Sequence, residues 1–265
     1  MIDHFKLRQR PFTREIRSAE HFPLDFLESQ VTELARCVEM RASGLIVAPA
    51  GMGKTSILRK LRDRLSESQY RVSYLKVTNL SNRDLCREIC AAIGAKAVGS
   101  YPAMVRSIQK VMLRSCSESA IHPVIIFDDA QALRSQGFEA LKCISNFEMD
   151  SKLAVSFILA GHSSLKDKLY APGLADVRQR IVHCGQLRAL SQSESAQYID
   201  HRSKVVGASQ SLFSTEAIEG IYLASKGNMR AIDNIALKAL IHAGDMQQSQ
   251  VETQNVIAAR NELWN

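Results

Sequence analysis

The segment Gly44-Leu45-Ile46-Val47-Ala48-Pro49-Ala50-Gly51-Met52-Gly53-Lys54-Thr55 constrains this chain more than any other. Its apolar opening predicts a strand over 45–48, a glycine-bearing loop follows, and a helix starts at Lys54-Thr55-Ser56-Ile57-Leu58. That order is what a phosphate cradle requires. Small residues let backbone N–H groups converge on phosphate oxygens, and the following helix points its positive end at them. In this reading Ala48, Pro49, Ala50, Gly51, Met52, Gly53 and Ser56 surround a nucleoside triphosphate, and Lys54 reaches its β- and γ-phosphates. The Thr55 hydroxyl goes to Mg²⁺. Ala48 stands where the motif begins with glycine, while the Gly51-x-Gly53-Lys54-Thr55 core is intact. A plain glycine turn before an amphipathic helix is the competing reading, and the strand–loop–helix order argues against it.

The second half of the site is expected at Pro123-Val124-Ile125-Ile126-Phe127-Asp128-Asp129-Ala130-Gln131. Consecutive apolar residues suit a strand buried on both faces of a parallel sheet. Carboxylates at the end of such a strand sit where ligands of open α/β sheets collect. Asp128 is assigned to Mg²⁺, and Asp129 to orienting or deprotonating the attacking water. An Asp pair at this place also suits a helix cap before Ala130-Gln131-Ala132-Leu133. Beside the phosphate loop the catalytic reading prevails.

A chain of 265 residues holds one α/β core and a smaller appendage. No apolar run approaches the roughly 20 residues of a membrane span, and Met1-Ile2-Asp3-His4-Phe5-Lys6 lacks a signal-peptide core. The six cysteines (Cys37, Cys86, Cys90, Cys116, Cys143, Cys184) form no CxxC pair, and we read them as reduced thiols of a cytoplasmic protein. The formal charge of +7 is compatible with a polyanionic partner. Arg106, Lys110 and Arg114 recur at four-residue spacing and form one helix stripe opposite Val105, Ile108, Val111 and Met112. A solvated face is the default reading of that stripe, and backbone-phosphate contact is the functional one.

Strand and helix patterns alternate from Glu28 to Ala160, which implies right-handed crossovers and a parallel sheet. The first 25 residues read as irregular, broken by Pro11 and Pro23, with Phe5, Leu7, Phe12 and Phe22 pinned on the core. From about Arg188 every pattern is helical, and three of the four open on Ser or Thr. The expected organisation is an N-terminal extension over 1–25 packed on the core, an α/β nucleotide-binding domain over 26–186, and an all-helical domain over 187–265.

Taken in order, these motifs resemble an AAA+ ATPase, and more narrowly the ExeA-type and TnsC/TniB-type group. His4-Phe5-Lys6-Leu7 with Pro11-Phe12 is similar to that group's opening. Asn146-Phe147-Glu148 and Phe157-Ile158-Leu159-Ala160-Gly161-His162 resemble its helix and sensor strand. Leu187-Arg188-Ala189-Leu190-Ser191 through Tyr198-Ile199-Asp200-His201-Arg202 resembles the start of its helical lid, and Gly227-Asn228-Met229-Arg230 its second-sensor helix. The resemblance spans roughly residues 4–245. It implies a P-loop α/β fold with a C-terminal helical lid, ATP and Mg²⁺ as cofactors, and assembly into a ring or helical filament.

The resemblance also implies residue roles. His162 falls at the first-sensor position, although a satisfied histidine at a strand end is an equal reading of a residue where Asn, Thr or Gln is commoner. Arg178 and Arg180 fall where the group places a finger that reaches the neighbouring subunit's nucleotide. Arg180 is favoured because Ile181-Val182 would anchor it. Arg230 would contact phosphate from the lid. Asp129 stands where such ATPases usually carry Glu, so slow hydrolysis is expected.

Two occupations are implied. One is a transposition regulator that coats double-stranded DNA in its ATP form and recruits or activates a transposase, without a membrane. The other is an ExeA-like ATPase assisting assembly of a secretion pore, and replication or recombination loading is a third variant. No recognition helix or zinc finger is present in the sequence, so DNA contact is expected to be non-specific. Lys76, Arg83, Arg106 and Lys110 are its candidates.

Overall fold

In the computed structural model, residues 1–264 are described, and they fall into two compact units. One unit comprises residues 25–50 and 54–187, and the other residues 1–24, 51–53 and 188–265.

The first unit is built on a five-stranded parallel sheet. Its strands are β1 (Ser43–Val47), β2 (Tyr70–Lys76), β3 (His122–Asp128), β4 (Ser156–Gly161) and β5 (Ile181–Gln186), in the order β2-β3-β4-β1-β5. Helices α1 (Asp25–Glu39), α2 (Lys54–Arg64), α3 (Asn82–Ile93), α4 (Tyr101–Glu118) and α5 (Ser135–Ser145) connect and cover it, with short α6 (Ser164–Leu169) and α7 (Ala175–Gln179) before β5. Parallel neighbours need crossovers, and these helices supply them. Every residue of β3 is buried, as its unbroken apolar run requires. Burying side chains such as Ile125 and Phe127 contributes roughly 2 kcal/mol each. β3 also takes His122 into the core, where its Nε2 lies 2.9 Å from Ser156 Oγ.

Strand β5 lies outside the sequence expectation. Its burial alternates, with Val182, Cys184 and Gln186 facing out, because it pairs on one side only. A half-solvated edge carrying His183 and Gln186 has no apolar run to mark it.

The second unit contains α8 (Gln192–Val205), α9 (Thr215–Ser225), α10 (Met229–Asp245) and α11 (Thr253–Trp264). Ser191, Ser214 and Asn228 cap the first three of these through their side-chain oxygens. Arg188 grips Glu194 with both arms at 2.6 and 2.7 Å, which holds that carboxyl down at about 2. Residues 1–24 group with these helices. Phe12 sets its ring edge-on to Phe213 at 5.7 Å, and Arg202 Nη2 donates to Thr13 O at 2.6 Å. His201 Nε2 donates to Glu20 O at 2.8 Å.

Candidate functional site

The register aligns the functional residues at one end of the sheet. Val47 of β1 pairs with Gly161 of β4, and Asp128 of β3 pairs with Lys76 of β2. The phosphate loop, both aspartates and His162 therefore leave the sheet at its carboxyl edge, the place where open α/β sheets bind ligands. Ala48 is fully buried, its N–H donates to Gly161 O at 3.0 Å, and its backbone stays out of the left-handed region. Alanine therefore fits the motif's first position without strain. Pro49 and Ala50 are exposed, and Met52 and Ser56 are half-buried.

Gly51 and Gly53 adopt φ of +83° and +86°, values that side chains resist. A Cβ on Gly51 would also fall 2.3 Å from Asn228 Oδ1 and 2.9 Å from Arg230 Cβ, within the unit to which 51–53 belong. The Arg230 N–H donates to Gly51 O at 3.3 Å, while its side chain is exposed. Helix α2 begins at Lys54, whose ammonium donates to Ala48 O at 2.8 Å and Pro49 O at 3.0 Å. Its charge is thus carried on the loop itself.

Thr55 Oγ1 donates to Asp128 Oδ2 at 3.1 Å. Tyr74, on β2, donates its hydroxyl to the same oxygen at 3.1 Å, and the Asp129 N–H donates to Asp128 Oδ1 at 2.9 Å. Burial, followed by the Asp128 charge, pushes the Tyr74 phenol up to about 12, so it remains a donor. Asp129 adopts φ 56° and ψ 34°, left-handed for a residue with a side chain. That conformation turns its carboxylate away from the strand direction, with Lys76 Nζ at 3.8 Å and Gln131 Nε2 at 3.4 Å. Asp129 does stand at the N-cap of the 3₁₀ turn Ala130–Ala132, but its side chain makes no cap bond. Gln131 Oε1 accepts from the His162 N–H at 2.9 Å, linking the ends of β3 and β4.

Three residues of this cluster were outside the sequence reading of the nucleotide site. Tyr74 and Lys76 come from β2, and only register reveals which β2 residues face the aspartates. Gln131 lies inside the quoted motif, but its bridging needs the 3₁₀ turn. Lys76, a DNA candidate from the sequence, lies beside Asp129. Arg83 reaches Gly99 O at 3.4 Å, and Arg106, Lys110 and Arg114 are exposed along α4.

Arg178 and Arg180 diverge. The Arg178 guanidinium lies over the Tyr170 ring at 4.8 Å, and Arg180 Nη2 donates to Asp150 Oδ1 at 2.7 Å. His162 is exposed at the end of β4.

This donor set fits a magnesium-bound nucleoside triphosphate. Gly51 and Gly53 keep side chains out of the left-handed turns of the loop, and Lys54 brings a cation to it. Thr55 and Asp128 place a hydroxyl and a carboxylate 3.1 Å apart, hard oxygen ligands suited to Mg²⁺. When bound, that group supplies the phosphoryl centre that water attacks. Asp129, with Lys76 and Gln131 beside it, is the second carboxylate at the end of β3.

Residues 38–169 match a family model described as AAA domain. The chain is 29% identical over 202 residues to General secretion pathway protein A of Aeromonas hydrophila, across 75% of this chain and 36% of that protein. It thus spans about a third of that relative's length. Among solved structures, Cdc6p of Pyrobaculum aerophilum superposes with a TM-score of 0.75 at 14% identity, over 95% of this chain and 70% of that one. The ORC1 protein of Aeropyrum pernix, in complex with DNA, gives 0.73 at 16% identity, over 97% and 70%. RuvB of Thermotoga maritima, a Holliday junction branch migration motor, gives 0.60 at 14%, over 91% and 70%. Sheet order, phosphate loop and these likenesses agree on the P-loop AAA+ fold, with a helical C-terminal region.

Proposed function

We propose that this chain is a Mg²⁺-dependent ATPase that assembles on double-stranded DNA as a regulator of transposition, recruiting or activating a transposase. The ATPase part is carried by the Thr55–Asp128 pair beside the Lys54 loop. Asp129 prepares the water, and His162 and Arg230 sense the γ-phosphate. A ring or helical filament forms because Arg180 of one protomer completes the nucleotide site of the next. Arginines in this role contribute orders of magnitude in rate. Nucleotide state then governs assembly.

The DNA part is supported by the exposed Arg106, Lys110 and Arg114 stripe on α4 and by the net charge of +7. Such contacts engage phosphates without reading sequence. A second reading, an ATPase assisting secretion-pore assembly, is favoured by the 29% identity to General secretion pathway protein A.

Electron microscopy with linear duplex DNA, with and without a non-hydrolysable ATP analogue, separates the two. Regular filaments that need both DNA and analogue support the first reading. Intact ATPase activity without DNA binding at low salt supports the second. Loss of nucleotide binding in neither Lys54→Ala nor Asp128→Ala would remove the basis of both.

A further inference from the structure

We propose that Asp150 is a positioning residue for Arg180, and that the turn from Phe147 to Lys152 is the mount that holds it. The proposal rests on the reading of Arg180 as the arginine that acts on a neighbouring protomer's nucleotide.

The Arg180 backbone is fixed at both ends. Its N–H donates to Val177 O at 3.2 Å, and its carbonyl accepts from Ser43 N–H at 3.3 Å, which ties it to β1. Only the side chain can choose where the guanidinium goes. Asp150 Oδ1 takes Nη2 at 2.7 Å, and among the described residues this is the side-chain hydrogen bond that Arg180 makes. The arginine fork carries five donors in a rigid plane, so one carboxylate oxygen on Nη2 leaves Nη1 and Nε for a second acceptor. The guanidinium is held by one arm, and Arg180 keeps 24% of its side-chain surface exposed. Arg178, two residues earlier, has no such mount and lies on Tyr170 instead.

The mount is built at a conformational cost. Glu148, Met149 and Asp150 take φ of 48°, 57° and 67°, three successive left-handed residues that all carry side chains. Such backbone persists only where its surroundings over-determine it, and it collects at functional sites. Here an antiparallel bridge joins Phe147 to Lys152, Ser151 Oγ donates to Glu148 O at 2.7 Å, and Lys152 pairs with Glu148 at 3.3 Å. Phe147 is buried and anchors the turn, while Met149 at its tip is 98% exposed. A relaxed turn would carry the Asp150 carboxylate elsewhere. Lys142 pairs with Asp176 in the same neighbourhood, and the Arg180 charge also helps to hold that second carboxyl down.

Mixed-protomer assays test this. Lys54→Ala supplies Arg180 but lacks the phosphate lysine, and Arg180→Ala supplies an intact loop. Mixing the two should restore turnover. With Asp150→Asn added to the Lys54→Ala partner, restored turnover should fall about tenfold, and Asp150→Glu should recover much of it. With Asp150→Asn on the Arg180→Ala partner instead, restoration should match the parental mixture. Sedimentation with a non-hydrolysable ATP analogue gives a readout independent of turnover. The protein concentration for half-assembly should rise severalfold in Asp150→Asn and in Arg180→Ala alike.

Equal restoration with and without Asp150→Asn on the donor, assembly unchanged, overturns the positioning role and leaves Arg180 acting in trans. Greater restoration identifies Asp150 as a brake and overturns it as well. An equal fall on either partner signifies damage to the fold and does the same. Absence of restoration in the parental mixture removes the trans reading, and the proposal with it.

Discussion

Tyr74 and Thr55 donate to one and the same oxygen, Oδ2 of Asp128, each at 3.1 Å. Two strands and a helix thereby agree on where a single carboxylate points. The tyrosine does this as the far end of a half-exposed side chain on the edge strand β2, so its ring packs little and its hydroxyl carries the interaction. Tyr74→Phe should leave the sheet intact and lower unfolding free energy by about 1 kcal/mol, the usual net value of one hydrogen bond. Asp128 then loses one of its two hydroxyl donors. The Mg²⁺ concentration for half-maximal turnover should rise about threefold, which a metal titration at saturating ATP would read. An unchanged midpoint would mean that Thr55 alone orients Asp128.

Asp129 tests how the water is handled. Its backbone is left-handed, and its carboxylate is steered by Gln131 at 3.4 Å and Lys76 at 3.8 Å rather than by a cap bond. Asp129→Asn keeps shape and removes the charge, so turnover should fall about a hundredfold, the scale of a general base. Binding of a fluorescent ATP analogue should hold within a factor of two or so, because the phosphates are gripped by the Lys54 loop. Asp129→Glu adds one methylene toward the γ-phosphate and should raise turnover severalfold. If it lowers turnover instead, the shorter side chain is the one this site is built around.

The phosphate loop and the second motif were legible in the sequence because their signals are local. Lys54 follows its glycines directly, and β3 announces itself by consecutive apolar residues before Asp128. The parallel sheet followed from the alternation of strand and helix. Strand β5 was not legible, since an edge buried on alternate residues and carrying His183 and Gln186 shows no contiguous apolar run. Tyr74 and Lys76 were invisible as site residues for another reason. Their role depends on the pairing of Lys76 with Asp128, a register between segments far apart in the chain. Phe12 meets Phe213 edge-on, and nothing in the spacing of single aromatics specifies which apolar surface they will cover.

His122 makes the fold sensitive to acid in a window that can be named. It is 5% exposed, and burial, helped by the Arg41 charge, pulls its imidazole from 6.5 down to about 4. The folded state therefore holds it neutral while an unfolded chain protonates it below 6.5. Its contribution to stability is complete above pH 6.5 and is lost as pH falls toward 4. A shift of that size corresponds to roughly 3 kcal/mol. Asp233, in the helical unit, acts with opposite sign, because burial raises its carboxyl to about 6. Urea unfolding across that range, comparing the parent with His122→Gln, isolates the histidine. The variant should lose less stability on acidification than the parent, and parallel curves would mean that His122 accepts a proton without leaving the fold.

The residues proposed for DNA separate into two groups, and salt dependence distinguishes them. Arg106 and Lys110 lie four residues apart on α4, exposed, with Arg114 continuing the line. Each cation that neutralises a DNA phosphate releases condensed counterions, so removing one should lower the slope of log affinity against log salt by about one. Arg106→Ala and Lys110→Ala are each expected to do so on any duplex sequence, since backbone contacts read no bases. Lys76 is paired with Asp129 at the end of the sheet. Lys76→Ala should therefore leave the DNA salt slope unchanged and alter ATP turnover, because the Asp129 carboxylate loses its neighbouring cation. Fluorescence anisotropy with a labelled duplex over a range of salt concentrations reads the first effect, and a phosphate-release assay the second. A Lys76→Ala slope reduced as much as that of Arg106→Ala, with turnover intact, would return Lys76 to the DNA surface and break its link to the catalytic carboxylate.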